Sequence, residues 1–414
     1  MSVISGCDGD HAKALEASNT SKSWICEEAH LPLEVVLLLI AGMALIITGV
    51  LLFPISTGRL SYYENGLYGL ILVVIALQMT TLGKTPFGEM DRSVPLIAAG
   101  VAVGAVGIFT SFVPDTFSRV PRLLLLIFLG PGSLALLLRM LLSQDKLRTW
   151  ISLGGAVFRH LIAACSAVYG MSMVSSLLIL WKGLFTTRAA AAVVLVFGVS
   201  VVYLAVVLRE VYREYPEAGK PPERGVVLST SQVLMLFMGV LMLLLGWLLI
   251  PVNLGMLPFS GSAQLGLLTV LIAIRMLVSG DTPVGAFTRS WPVIVLGMTL
   301  SGLGIVSCVI PDILILPLMI LIGLTNIVSG IVGLCRVRFR RKAPPILTRL
   351  SAAQLVLNVT TILFGLATFV AKLIPGLVVG VILFINGCIL LYMLHIIVVL
   401  ERMQKAMGSA EAPA

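Results

Sequence analysis

Twelve times along this chain a run of apolar residues recurs, each close to the roughly 20 residues that an α-helix needs to cross a bilayer core of about 30 Å. The runs lie near Leu33–Phe53, Gly66–Leu82, Val94–Val113, Leu123–Leu142, Leu161–Leu180, Ala189–Leu208, Val233–Ile250, Ala263–Val278, Trp291–Ile310, Ile313–Leu334, Ala352–Val370 and Gly376–Val399. In hydrocarbon every backbone N–H and C=O must be satisfied by the protein itself, and a helix does this within one segment. The expected fold class is therefore an all-α polytopic membrane protein of about 12 transmembrane helices. Composition agrees: 11% of residues are charged and the mean hydropathy is +1.08, whereas a soluble domain carries roughly a quarter charged residues. The net charge of +9 sits between the apolar runs rather than on one face, so the expected partner is the lipid bilayer and no nucleic acid.

Orientation follows from where the basic residues fall. With the N-terminus inside, the inner segments hold 21 Lys and Arg and the outer ones 6, with Arg275 inside a span. Cytoplasmic loops carry the excess of basic residues, so both termini are expected to be cytoplasmic, in a plasma (inner) membrane. Residues 1–32 read as a cytoplasmic polar tail. They contain Asp8, Asp10, Glu16, Glu27 and Glu28 and lack the basic start and cleavage pattern of a signal peptide. The six cysteines include no CxxC pair, and are expected to be reduced, packed thiols. The Asn19-Thr20-Ser21 sequon is inert if the tail is inside.

The chain repeats itself. Gly83-Lys84-Thr85-Pro86-Phe87-Gly88 returns as Gly280-Asp281-Thr282-Pro283-Val284-Gly285, and Arg92-Ser93-Val94-Pro95 as Arg289-Ser290-Trp291-Pro292, an offset of 197 residues. The same offset maps Gly42 to Gly239, Gly49 to Gly246, Gly107 to Gly304 and Pro114-Asp115 to Pro311-Asp312 without a gap. Beyond it, small gaps bring Tyr169-Gly170 onto Phe364-Gly365 and Gly198 onto Gly387. A unit of six spans returns in the same orientation, so these are parallel repeats: 33–210, a cytoplasmic linker 211–228, 229–400, and a cytoplasmic tail 401–414. Ser93 and Ser290, each two residues before a proline, read as helix starts, which places Arg92 and Arg289 at the headgroups. Arg275 reads as a snorkelling anchor.

A finer period of 58 residues lies inside each half. Gly42 and Gly49 recur as Gly100 and Gly107, Gly239 and Gly246 as Gly297 and Gly304, each pair followed by a proline at the end of its helix. Glycines seven apart share a helix face and let a neighbouring backbone approach closely. These eight are expected to pack helices within six helical hairpins. Hairpins of near 60 residues, a glycine-bearing first helix ending in proline, and three hairpins per unit resemble the HdeD-type acid-resistance membrane proteins, a short-repeat family of unknown function, here as a tandem duplication. The resemblance implies an inner-membrane protein associated with stress or acid tolerance, and supplies no catalytic residues.

Polar groups in mid-membrane are costly and mark candidate sites. Gly130-Pro131-Gly132-Ser133 falls at the middle of the fourth span, where Pro131 must kink or break the helix. Gly323, Thr325 and Asn326 fall at the same depth of the tenth. Such breaks line substrate cavities in transporters or are merely satisfied kinks. Asn358, with Thr360, Thr361 and Asn386, either joins that cavity or ties helices together; His395 is either pH-sensing or packed, and His160 sits beside Arg159 at a membrane entry. No Asp or Glu stands near the centre of any span, which weighs against ion-coupled transport. No metal-ligand cluster, cofactor motif or nucleophile constellation occurs, so no cofactor and no enzyme activity is expected. The leading expectation is an HdeD-like, non-enzymatic membrane protein. The alternative is a small-molecule secondary transporter of 6+6 helices with a midplane site, its partner a small-molecule substrate.

Overall fold

The computed structural model describes residues 31–114, 119–142, 156–181, 185–215, 228–282, 285–286, 290–337, 345–369 and 376–410. The acidic tail with its sequon, Cys7 and Cys26, the linker from 216, Asp115, Pro283, Arg289 and the basic loop 338–344 lie outside the described residues. Among the described residues twelve helices are long and apolar enough to cross a membrane. They are α1 (Leu33–Ser56), α2 (Glu64–Leu82), α3 (Val94–Phe112), α4 (Arg119–Leu142), α5 (Ala156–Leu180), α6 (Thr187–Glu214), α7 (Thr230–Asn253), α8 (Gly261–Ser279), α9 (Trp291–Val309), α10 (Ile315–Arg336), α11 (Pro345–Phe369) and α12 (Gly376–Ala410). The face on which α1 begins is called near, the other far.

Apart from α5 with α6 and α11 with α12, the closely packed pairs join helices of different hairpins. In the first half α1 packs on α6, α3 on α2, and α5 on α4 and α6, and the second half repeats this with α7 on α12, α9 on α8, and α11 on α10 and α12. Each hairpin thus lays its first helix on the second helix of the hairpin before it, and α1 on α6 closes the cycle. All eight repeated glycines face these seams. A Cβ on Gly42 or Gly49 would meet Val202 Cγ2 at 2.6 Å or Leu195 Cα at 2.8 Å on α6, and one on Gly239 would meet Leu391 at 2.8 Å on α12. Gly246 abuts the backbone of Phe384 and Gly380. On the other seams a Cβ on Gly100 would meet Thr80 at 2.6 Å, one on Gly107 the carbonyl of Gly69 at 2.8 Å, one on Gly297 Leu277 at 2.9 Å and one on Gly304 the carbonyl of Gly266 at 2.7 Å.

The two halves meet through α1, α2 and α3 on one side and α7, α8 and α9 on the other. The pairing is reciprocal, α1 on α9 and α7 on α3, α2 on α9 and α8 on α3. Two backbone hydrogen bonds repeat it at the offset of 197 residues: Tyr63 N–H donates to the Val309 carbonyl at 2.9 Å, and Ser260 N–H to the Phe112 carbonyl at 2.9 Å. α2 and α8 form the centre, 78% of each window being buried, against 17% for α4 and α11 at the flanks. Side chains such as Leu37, Ile40, Phe112, Leu241 and Leu267 build one apolar core that the two halves share.

Arg92, expected at the headgroups, stands between the end of α2 and the start of α3. It is buried, and its Nη2 donates to the carbonyls of Thr80 at 3.1 Å and Leu228 at 3.0 Å, tying the end of α2 to the residue just before α7. Burial lowers its pKa. Ser93 and Ser290 do stand at the helix starts, with proline in the first turn but without a side-chain capping bond. Arg275 is exposed.

Candidate functional site

Pro131 does not break α4. The helix runs regularly from Arg119 to Ile127, widens into a π-helical turn over Phe128–Gly132, and resumes at Ser133. In an α-helix the ring would collide with the carbonyl four residues back and one hydrogen bond would be missing. A π turn spreads the ladder and makes room. The carbonyls it leaves need partners in hydrocarbon, and α5 supplies two serines on one face. Ser172 Oγ donates to the Leu129 carbonyl at 3.1 Å and Ser176 Oγ to the Leu126 carbonyl at 3.4 Å, while Ser133 Oγ donates to Ser172 Oγ at 2.7 Å. Gly130 and Gly132 keep this fit, since a Cβ would fall 2.5 Å from Ser176 Oγ and 2.9 Å from the Pro86 carbonyl.

Pro86 belongs to the motif that repeats between the halves, here a two-stranded antiparallel hairpin of β1 (Lys84–Thr85) and β2 (Gly88–Glu89), Lys84 opposite Glu89. The α2 helix stops at Gly83, whose φ of +69° is open to glycine. The hairpin dips toward α4, with the Phe87 ring edge-on to Phe128 at 6.4 Å. Its second-half counterpart pairs β3 (Asp281–Thr282) with β4 (Gly285–Ala286).

Between α1, α2, α4, α5 and α6 lies a cavity of about 1040 Å³, whose near end the hairpin lines. Its α1 lining runs from Glu34 to Ile55, about 32 Å at 1.5 Å per residue. The cavity is thus long and partly open to the surface, and is called the tunnel below. At the near end Lys84 Nζ and Tyr212 OH both donate to Glu34, to Oε1 at 2.5 Å and Oε2 at 2.5 Å, and Glu89 stands 3.6 Å from Lys84. Ser133, Ser172, Cys165 and Tyr169 line the middle. At the far end Tyr68 OH donates to Glu64 Oε1, beside Tyr62, Trp181 and Phe185. Burial, and then the Glu64 carboxylate, push the Tyr62 phenol above its ordinary range, so it remains a hydroxyl donor. Arg122 caps the end of α5, its Nε donating to the Ile179 carbonyl at 3.1 Å.

Of the expected site residues, Ser133 faces this cavity and Gly130, Pro131 and Gly132 shape its wall. The others do not join them. α10 is regular through Gly323, where an added Cβ would run into Thr368 and Phe369 of α11. Thr325 Oγ1 and Asn326 Nδ2 both bond back to the Ile322 carbonyl, at 3.0 and 2.7 Å. Asn358 packs on Gly333, and Thr360 donates to Asn386, tying α11 to α12. His160 bonds Tyr203 OH through Nδ1 at 2.7 Å, and His395 is exposed. Sequence reasoning passed over Glu34, Glu64, Lys84 and Tyr212 because they stand at span ends rather than span centres. The available signal was asymmetry: at the offset of 197, Glu34, Glu64, Tyr68 and Lys84 face Ser231, Gly261, Leu265 and Asp281.

No family model and no curated protein matches the chain. Among the described residues no group of His, Cys, Asp and Glu is placed to hold a metal ion.

Proposed function

We propose that this multi-pass membrane protein is a non-enzymatic carrier of small molecules whose pathway lies in the first six-helix half, with the second half as its scaffold. One observation carries the reading: a tunnel, polar at both ends, follows α1 over almost its whole length. The pocket volume is that of a site for an organic molecule. Loss of the acidic and tyrosine positions from the second copy supports a division of labour after duplication. The 21-to-6 basic bias supports a cytoplasmic near face.

The glycine seams support a second reading, the HdeD-like one, in which a tightly packed bundle serves stress or acid tolerance without passing a solute. Proteoliposome uptake separates the two. The carrier reading expects saturable uptake of at least one solute from a panel of small amphipathic molecules, reduced tenfold or more by Val168→Trp in the tunnel. Leu363→Trp, at the matching place in the second half, should leave uptake intact. Absence of uptake across the panel, or equal loss from both variants, sinks it.

A further inference from the structure

The charged groups in the described lining of the tunnel, Glu34, Glu64, Lys84 and Glu89, stand at its ends. Its middle is polar without charge. On α5 the lining residues Cys165, Tyr169, Ser172 and Ser175 follow one another at four and three residues, the spacing of one helix face, over about 15 Å at 1.5 Å per residue. Ser133 joins this stripe from the π turn of α4, donating to Ser172. At the same depth α1, α2 and α6 contribute Leu45, Ile71 and Val201. The bore is therefore polar on one side and apolar on the others, the make-up of a site for an organic molecule held by a few placed polar groups.

The hydroxyl hydrogens of the stripe are already placed. Ser172 Oγ donates to the Leu129 carbonyl at 3.1 Å, Ser175 Oγ to the Met171 carbonyl at 2.8 Å, and Ser133 Oγ to Ser172 Oγ at 2.7 Å. Tyr169 and Cys165 are hydrogen-bonded to each other. A hydroxyl has one hydrogen to give and two lone pairs to receive with, so Ser133 and Ser175 retain acceptor capacity on the lumen. An ion at this depth would leave water without meeting a counter-charge in the described lining, a costly step in an apolar wall. We infer that the middle of the tunnel binds an uncharged alcohol with an apolar body, its hydroxyl donating to these serines and its body lying against Leu45, Ile71 and Val201. This rests on the carrier reading for its physiological meaning, and deepens it by fixing the charge of the solute and the sense of its hydrogen bond.

The test uses the full chain in nanodiscs and labelled cyclohexylmethanol, read as saturable binding above that of empty nanodiscs. Three competitors keep the ring and change the head: cyclohexylmethylammonium, cyclohexanecarboxylate and the methyl ether of the alcohol. Saturable binding of the alcohol is expected, with every competitor weaker by about tenfold or more, because a site built to bond a hydroxyl rejects the analogue that lacks it. Ser133→Ala removes an acceptor and leaves the Ser172 bond to Leu129 in place, and should weaken the alcohol about tenfold. Ser175→Ala should weaken it several-fold, and supplies the answer if the first variant fails to fold. Ser200→Ala, a hydroxyl bonded within α6 and outside the tunnel lining, should change nothing. Absence of saturable alcohol binding, a charged competitor or the ether binding as tightly as the alcohol, or binding indifferent to both tunnel serines overturns the inference. Saturable uptake of ions without alcohol binding would overturn it and leave the carrier reading standing, whereas alcohol binding with these preferences and no uptake of any solute would do the reverse.

Discussion

At Gly246 a side chain would collide with the backbone of Phe384, and at Gly107 and Gly304 with carbonyls 2.8 and 2.7 Å from where a Cβ would sit. Backbone cannot step aside as a flexible side chain can, so these glycines hold the seams by what they lack. Lipid offers no hydrophobic drive for helix association, and close packing of small residues takes its place. Gly107→Leu and Gly304→Leu, equivalent in the repeat, should each destabilise the protein by about 1–3 kcal/mol, visible as a lower melting temperature in detergent. Gly170 is the contrast, because a Cβ there would find nothing within 4 Å. Gly170→Ala should be neutral or stabilising by up to about 1 kcal/mol through helix propensity. A wild-type melt for both leucine variants, or a large loss at Gly170, would show that seam contact is not what these glycines do.

Among the elements, the spans and the repeat were legible because each leaves its own mark: about 20 apolar residues per helix, and glycines and prolines at a constant offset. Partner choice was not. The period of 58 residues marks hairpins, yet nothing in it says that α1 lies on α6 rather than on α2, since every helix presents an apolar surface all round. The proline in α4 was legible as a disturbance, but its resolution as a π turn depends on Ser172 and Ser176 arriving from α5. The G-x-T-P-x-G loop stood out as a repeat, and only its fold shows that it lines the mouth of a tunnel. That position gives an expectation. Lys84→Gln removes the ion pair to Glu34 and should loosen the hairpin. In a background whose only cysteine is Cys165, which lines the tunnel, a water-soluble maleimide added from the near side should then react several-fold faster. An unchanged rate would mean that the hairpin does not gate access.

Seen as a whole molecule, the protein is two copies of one ring of hairpins joined about a pseudo-twofold axis, and the copies have diverged in the lumen while keeping the seams. The reciprocal bonds of Tyr63 to Val309 and Ser260 to Phe112 preserve the duplication in atomic detail. The tunnel does not follow that symmetry. A parallel duplication suggests a site between the halves, but the tunnel lies inside the first half, while Leu37, Phe112, Leu241 and Leu267 pack where the halves meet. The two polar segments at matched depth, Gly130–Ser133 and Gly323–Asn326, therefore have different fates, one walling a tunnel and the other bonded back to its own helix. Reactivity at these two places decides the account. With Ser133→Cys and Asn326→Cys placed singly in a background free of native cysteine, a small charged thiosulfonate should modify the protein in nanodiscs at position 133 and leave position 326 untouched. Equal reactivity, or modification at 326 alone, would contradict a pathway confined to the first half.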